Sequence, residues 1–360
     1  MRRASYILSV MPMTLHRGKT ALTAVLTLAL CAAALVFSPK CKDGAAKGLE
    51  LCLRVLTPSL FPMMALSGLT VRTGLCRRIG RLLEKPTRVL FGLSGAFAPV
   101  VLLSLVGGYP VGARAIADLY RGGQVSRKQA ERAALFCVGS GPAFLISFVG
   151  SALYGSEEIG LILLCSQVLA VMLSGIALRM IGGKISDNSE KELRIVTQPF
   201  SAALVEATRD ASAGMAAICG LVVLFAAFTG ICEELLPACD EREILLSLLD
   251  VSTGVCRLQS GFPLTMTAFA VGFGGLCVHF QIFAALRELA AHKLLFFAVR
   301  FVQGGLTALF THLGMMLFGR EVAVFSTADV TQAGFYGGSV LSGAALLTVA
   351  VGFLFTFKKQ

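Results

Sequence analysis

The chain has 360 residues, of which 56% are hydrophobic and only 15% charged, and its mean hydropathy is +0.78. Soluble domains carry about 25% charged residues, so this composition excludes an ordinary soluble fold and makes the bilayer the solvent. The net charge of +11 would suggest nucleic acid in a soluble protein; here the basic residues sit in short loops between apolar runs, where they fix topology and imply no nucleic-acid partner.

A crossing helix needs roughly 20 apolar residues. In chain order the candidate spans are Thr20–Phe37, Leu51–Val71, Ala133–Leu153, Ile159–Ile181, Ala211–Ile231, Phe262–Leu286, Leu294–Phe318 and Val340–Phe357. Arg2, Arg3, Arg17 and Lys19 precede the first run as they would in a signal peptide. That run is long for one and lacks a clean cleavage site, so it is read as a retained span. Two further apolar stretches fit a crossing poorly. Val89–Tyr120 is interrupted by Gly107-Gly108-Tyr109-Pro110, and Ile244–Gln259 is too short. The eleven cysteines form no C-x-x-C pair and show no zinc spacing with the four histidines, so neither a disulfide framework nor a metal is expected.

Loop charge orders these segments. The N-terminus, Arg72–Arg88 and Arg121–Arg132 are basic, whereas Tyr154–Glu158 and Ile231–Glu243 are acidic. Basic loops stay cytoplasmic. With the N-terminus inside and eight crossings, Lys358-Lys359 also falls inside. Val89–Tyr120 must then enter and leave on the cytoplasmic side, and Ile244–Gln259 on the outer side, as re-entrant hairpins. One loop is discordant: Pro39–Glu50 would lie outside although it carries Lys40, Lys42 and Lys47.

The two halves share a pattern. Phe136-Cys137-Val138-Gly139-Ser140-Gly141 matches Phe269-Ala270-Val271-Gly272-Phe273-Gly274 as F-x-V-G-x-G, and Leu102-Leu103-Ser104-Leu105 matches Leu245-Leu246-Ser247-Leu248. Upstream, Leu60-Phe61 with Gly68 resembles Leu224-Phe225 with Gly230. The order is span, hairpin, broken span, span. Each copy crosses an odd number of times, so consecutive copies must be inverted, as in many secondary transporters. The fold class expected is an all-α integral membrane protein of about eight transmembrane helices plus two re-entrant helical hairpins in two inverted repeats. The divisions are 1–48, a basic segment and first span; 49–182, the first repeat; 183–199, a cytoplasmic linker; 200–319, the second repeat; and 320–360, an outer loop and last span.

Candidate site residues gather at the breaks. Gly108, Tyr109, Pro110, Gly112 and Arg114 lie at the first hairpin tip, where glycine and proline interrupt a helix. The bland reading is a packing kink; the sharper one is a turn facing a substrate. Ser140, Gly141 and Pro142 break the third span, and Gly274 and Gly275 break its counterpart. Each restarted helix presents an N-terminus with free N–H groups, suited to an anion. His279 and Gln281 follow one turn later, where a structural histidine is the plain alternative. Asp250 and Thr253 sit in the second hairpin, Asp250 being able to hold a cation, a substrate donor or a proton. Arg114 and Arg300 could neutralise an acidic substrate or snorkel to the interface. No nucleotide loop or nucleophile–base pair appears, so neither catalysis, ATP-driven transport nor a cofactor is expected.

Four motifs carry a family resemblance over roughly residues 45–320. They are Pro58-Ser59-Leu60-Phe61-Pro62, Gly108-Tyr109-Pro110-Val111-Gly112-Ala113, Ser140-Gly141-Pro142-Ala143-Phe144-Leu145 and Phe273-Gly274-Gly275-Leu276-Cys277-Val278-His279-Phe280-Gln281. In these the chain resembles the YlbJ (SpoVV) family of sporulation integral membrane proteins, within the nucleoside-recognition Gate group. The resemblance implies a fold similar to concentrative nucleoside transporters and a role in endospore formation. It also implies movement of dipicolinic acid from the mother cell across the outer forespore membrane. One departure is Cys137-Val138-Gly139, which stands where an Asn-rich stretch is expected before Ser-Gly-Pro. The partners expected are a small anionic solute and membrane lipid, with a homo-oligomer or other sporulation membrane proteins in addition. The competing readings are a gate or channel for a nucleoside or an ion, and a non-transporting scaffold for spore assembly.

Overall fold

The computed structural model describes residues 24–25, 27–183, 185, 198–289 and 292–318. The span read at Val340–Phe357 and the terminal Lys358-Lys359 lie outside the described residues. Everything regular among the described residues is helical. A short apolar helix, α1 (Thr27–Val36), leads into α2 (Ser38–Arg72). Two amphipathic helices follow, α3 (Leu75–Leu82) and α4 (Glu84–Phe91), then the pair α5 (Phe97–Gly107) and α6 (Tyr109–Arg121). Next come α7 (Arg127–Phe136), α8 (Ala143–Leu153) and α9 (Glu157–Gly182). The second half holds α10 (Phe200–Leu235), the pair α11 (Asp240–Leu249) and α12 (Val251–Gln259), then α13 (Leu264–Phe273), α14 (Gly275–Ala285) and α15 (Lys293–Phe318).

Local chemistry sets several boundaries. Ser126 and Ser156 cap α7 and α9 by accepting from the backbone N–H of Gln129 and Ile159. Glu157 and Glu158 add negative charge to the first turn of α9, where the helix dipole favours it. Among the described residues five helical stretches are long and apolar enough to cross a bilayer: α2, α9, α10, the α13–α14 stretch and α15. Their outer faces expose Leu161, Leu169 and Leu173 of α9 and Phe301 and Leu309 of α15. Such a surface suits lipid and not water. The chain is an all-α integral membrane protein.

The reading of Pro39–Glu50 as an outer loop is corrected. Helical hydrogen bonds pass through Phe37, from Phe37 N to Ala33 O and from Cys41 N to Phe37 O, both at 2.9 Å. Residues 38–72 are helix throughout. Pro39 is tolerated because it stands in the first turn, where its missing N–H has no partner to lose. The segment is two-faced: Gly44 and Gly48 are buried against α10, while Lys40, Lys42 and Lys47 are exposed. Thirty-five residues make a helix of about 52 Å, longer than the roughly 30 Å hydrocarbon layer. The lysines therefore stand on the exposed face of a helix and not in a loop, and Lys40 is neutralised by Glu234.

The two halves repeat one order of elements: a long span (α2, α10), a helical hairpin (α5–α6, α11–α12), a broken span (α7–α8, α13–α14) and a 26-residue span (α9, α15). Equivalent residues do equivalent packing. A Cβ on Gly112 would lie 2.6 Å from Ser104 Oγ, and one on Gly254 would lie 2.7 Å from Ser247 Cβ. Each hairpin thus closes where a glycine of its second arm meets the serine of the shared L-L-S-L motif. The first glycine of F-x-V-G-x-G also repeats its role. Gly139 abuts Gln167 of α9, and Gly272 abuts Thr307 of α15. The spans α2 and α10 run antiparallel: Gly48 meets Val223 and Ala226, Gly68 meets Ala207, Lys40 pairs with Glu234 at 3.2 Å, and Arg72 pairs with Asp210.

This close approach has a measurable consequence. A Cβ on Gly48 would lie 2.7 Å from Ala226 Cβ and 3.1 Å from Val223 Cα, so Gly48→Leu should cost roughly 1–3 kcal/mol by overpacking. Gly220→Ala, on the same α10 with nothing within 4 Å, should be neutral or stabilise by up to about 1 kcal/mol. Thermal unfolding of the purified protein in one detergent compares the two; equal melting temperatures would refute the packing argument.

Candidate functional site

Glycine geometry brings the hairpin tips to the breaks. Gly108 joins α5 to α6 at φ +86°, a conformation that disfavours any Cβ. A Cβ there would lie 3.1 Å from the backbone N of Gly141, so the first tip seats on the first break. At the second break Gly275 has φ +71°, and its Cβ would lie 2.8 Å from Val251 N beside Asp250. The second tip seats there. Tyr109 then crosses between halves. Its hydroxyl accepts from Ser140 Oγ at 2.5 Å and donates to the Val271 carbonyl, and its ring lies against Gly274.

Arg300 ties the breaks together. It is 1% exposed, although it sits inside the span α15. Its Nε donates to the Phe273 carbonyl at 3.0 Å, where α13 ends. Its Nη1 donates to the Val138 carbonyl at 2.5 Å, just beyond α7, and to Gln303 Oε1 at 2.6 Å. Gln303 Nε2 in turn donates to the Phe136 carbonyl at 3.3 Å. The guanidinium carbon lies 5.4 Å from the centroid of the Tyr109 ring, a cation–π contact. Among the described residues no carboxylate pairs with Arg300; its positive charge is held by carbonyl dipoles at helix C-termini, the ends that favour a cation.

On the other side of the tips lies a small cavity of about 40 Å³, room for two or three waters. Both halves line it with equivalent parts. The long spans give Leu56 and Leu60 from α2, Ile218 and Val222 from α10. The tips give Gly108, Tyr109 and Pro110 in one half and Val251 and Ser252 in the other; the broken spans give Gly141 and Phe144, then Val278 and Gln281. The wide π-type turns at Cys52–Leu56 and Ala143–Leu153 each send a residue into it, Leu56 and Phe144; such turns recur at functional sites. Three helices begin at or within a turn of the cavity with no side-chain cap, α6, α8 and α14. Ser252 is 6% and Gln281 8% exposed. Ser252 Oγ has no hydrogen-bond partner among the described residues, and the Gln281 amide reaches only Cys277 Sγ at 3.4 Å.

Of the residues read from sequence, Gly108, Tyr109, Pro110, Gly141 and Gln281 line this cavity. Ser140, Gly274 and Gly275 lie directly behind it, in the contacts given above. Pro142 starts α8. Gly112 is a packing residue of the hairpin. Asp250 is fully buried, and its carboxylate accepts from Ser252 N at 3.4 Å, Thr253 N at 3.1 Å and Thr253 Oγ1 at 2.9 Å. It and Thr253 thereby cap α12. His279 bonds the Gly275 carbonyl through Nδ1 and stacks on Phe297 at 4.8 Å, away from the cavity lining. Arg114 lies outside it too, donating to the Asp210 carbonyl at 2.8 Å and packing on Gly214. Sequence reasoning did not single out Gln303 or Ser252; matching the two halves residue by residue brings out Gln303, since Gln167 and Gln303 hold the same place in α9 and α15.

The chain is 24% identical over 342 residues to the sporulation integral membrane protein YlbJ of Bacillus subtilis (strain 168), an alignment that covers 84% of each chain. This similarity runs over most of both chains and supports the likeness to the YlbJ family carried by the motifs. No family model and no solved structure matches it. A charged cluster lies at the foot of the second hairpin, where Arg257 pairs with Glu233 near the end of α10 and with Glu243 at 3.2 Å. Burial raises the Glu243 carboxyl, but hydrogen bonds from Arg242 and Arg257 outweigh it and hold the group below the usual carboxylate range.

The geometry gives Asp250 a capping role, which is testable. Asp250→Ala should destabilise the protein by about 1–2 kcal/mol, whereas Asp250→Asn, which caps nearly as well, should lose less than half of that. Melting temperatures of the three proteins decide it. An Asn variant as unstable as the Ala variant would show that the charge, and not the cap, matters.

Proposed function

We propose that the protein carries a small anionic solute, dipicolinate in the first instance, across a membrane of the sporulating cell by alternating access. The observation that carries this reading is the cavity where equivalent elements of both halves meet and uncapped helix N-termini converge. Such N-termini favour negative charge, and paired broken helices near a pseudo-twofold are where secondary transporters bind their solutes. Ser252 and Gln281 would supply neutral hydrogen bonds, and Phe144 a face for an aromatic ring. Among the described residues no cationic side chain lines the cavity, so the anion would be held by backbone dipoles and amide donors rather than by Arg114.

In this reading α5–α6 and α11–α12 are re-entrant hairpins that enter from opposite faces, the arrangement of the Gate group and of concentrative nucleoside transporters. The basic loops lie in the cytoplasm, and the outer forespore membrane is the site. At about 40 Å³ the cavity is far below the 300 Å³ or more of typical ligand pockets. In this reading the hairpin tips part from the breaks to make room for a solute.

Uptake of labelled dipicolinate into vesicles containing the purified protein tests this. Gln281→Leu removes one hydrogen-bonding group from a buried site, worth about 1.4 kcal/mol, so uptake at low solute should fall roughly tenfold. Gly220→Ala, on the exposed face of α10 turned away from the cavity, should transport as the unmodified protein does. Absence of uptake by the unmodified protein, or undiminished uptake by the Gln281 variant, would defeat the proposal.

A further inference from the structure

Broken helices pose an electrostatic problem at their C-terminal ends. Their last carbonyls lack intrahelical partners and carry partial negative charge. In many secondary transporters such ends, with unwound backbone carbonyls, coordinate a mobile sodium ion or proton. Here the ends of α7 and α13 converge on one point, and a side chain already stands there. Arg300 reaches Phe273 O at 3.0 Å and Val138 O at 2.5 Å, one carbonyl from each break. It is 1% exposed.

We propose that Arg300 is a resident cation, built into the position that the carbonyl ends of both breaks would otherwise offer to a mobile metal cation. Closure of the breaks then requires no bound sodium or potassium.

Three observations bear on this. The charge has no carboxylate partner among the described residues, so its neutralisation comes from the same carbonyl dipoles that would hold a metal ion. A buried charge without that compensation would be strongly unfavourable. The arrangement is also unilateral. Arg300 is the eighth residue of α15, and the eighth residue of α9 is Leu164. One cation therefore serves both halves, which is possible only because the two breaks come together. Finally, the neighbours are shaped to admit it. Gly274 has φ +92°, and a Cβ there would stand 3.0 Å from Arg300 Nη2 and 3.3 Å from the Tyr109 ring.

Cation occupancy is a property of the folded protein, whether or not a solute is carried. Its consequence for transport, independence from a sodium gradient, rests on the carrier reading. The test therefore uses stability and not uptake. The full chain, purified in detergent, is melted in sodium, potassium or N-methylglucamine salts at constant ionic strength. The unmodified protein should show the same melting temperature in all three, within about 1 °C. Arg300→Ala should melt lower by roughly 5 °C or more. Low millimolar guanidinium, but not choline, should restore at least half of that loss in a saturable manner. Arg300→Lys keeps the charge without the planar fork and should fall between the two. A saturable rise of the unmodified protein with sodium or potassium would overturn the proposal. So would an Ala variant that melts normally or that guanidinium does not restore. If Arg300→Ala does not fold, the salt series on the unmodified protein and the position of Arg300→Lys relative to it decide the matter.

Discussion

Backbone inside a membrane protein must have its hydrogen-bonding groups satisfied by the protein itself, because no bulk water is there to do it. This molecule interrupts two of its helices and so places loose carbonyls where they are most costly. Arg300 and Gln303 answer that cost. Together they take the carbonyls of Phe136, Val138 and Phe273. With the C-terminal ends of α7 and α13 gathered on one side, the N-terminal ends of α8 and α14 are left to face the other. The cavity lies on that second side, and its character follows from the division: cation and carbonyls behind, helix N-termini in front.

Small residues make the division geometrically possible. Gly112 and Gly254 let each hairpin close on its own serine, Gly139 and Gly272 let each broken span touch the next span, and Gly44 and Gly48 let α2 lie along α10. In lipid, where helices gain little from hiding apolar surface from one another, such close backbone approach is a main source of association. The same device used twice explains why the cavity is lined in pairs. The departures from pairing are equally informative. The first tip turns on Gly108 and leaves the N-terminus of α6 uncapped. The second tip turns on Asp250, whose carboxylate closes the N-terminus of α12. Arg300 has Leu164 at the matching position of α9. A repeat that has lost symmetry at these two places presents a site with one open and one capped tip, and a single internal cation.

The likeness of this chain to YlbJ of Bacillus subtilis sits with that picture. The motifs that carry the resemblance, around Gly108, Gly141 and Gly274, are the segments that meet at the two breaks. Gly108 and Gly274 hold positive φ there, and Gly108 and Gly141 meet backbone to backbone, so substitution is restricted by conformation as well as by chemistry.

Hydropathy and spacing alone determined much of this protein. The long apolar runs, the order of elements in each half, the breaks at Gly108, Gly139–Pro142 and Gly274–Gly275, and the correspondence of F-x-V-G-x-G and L-L-S-L are all legible without coordinates. Each rests on a local property: transfer to lipid, or the conformational range of glycine and proline. What a residue touches across the fold is not local. Pro39–Glu50 reads as a loop because its lysines are counted and its two buried glycines are not. Arg114 and Arg300 look alike in sequence, each a lone arginine in apolar surroundings. Only the tertiary structure turned one toward a backbone carbonyl of α10 and the other into the junction of two broken helices, because a charge's position is decided by which carbonyls converge on it, and those arrive from segments far apart in the chain.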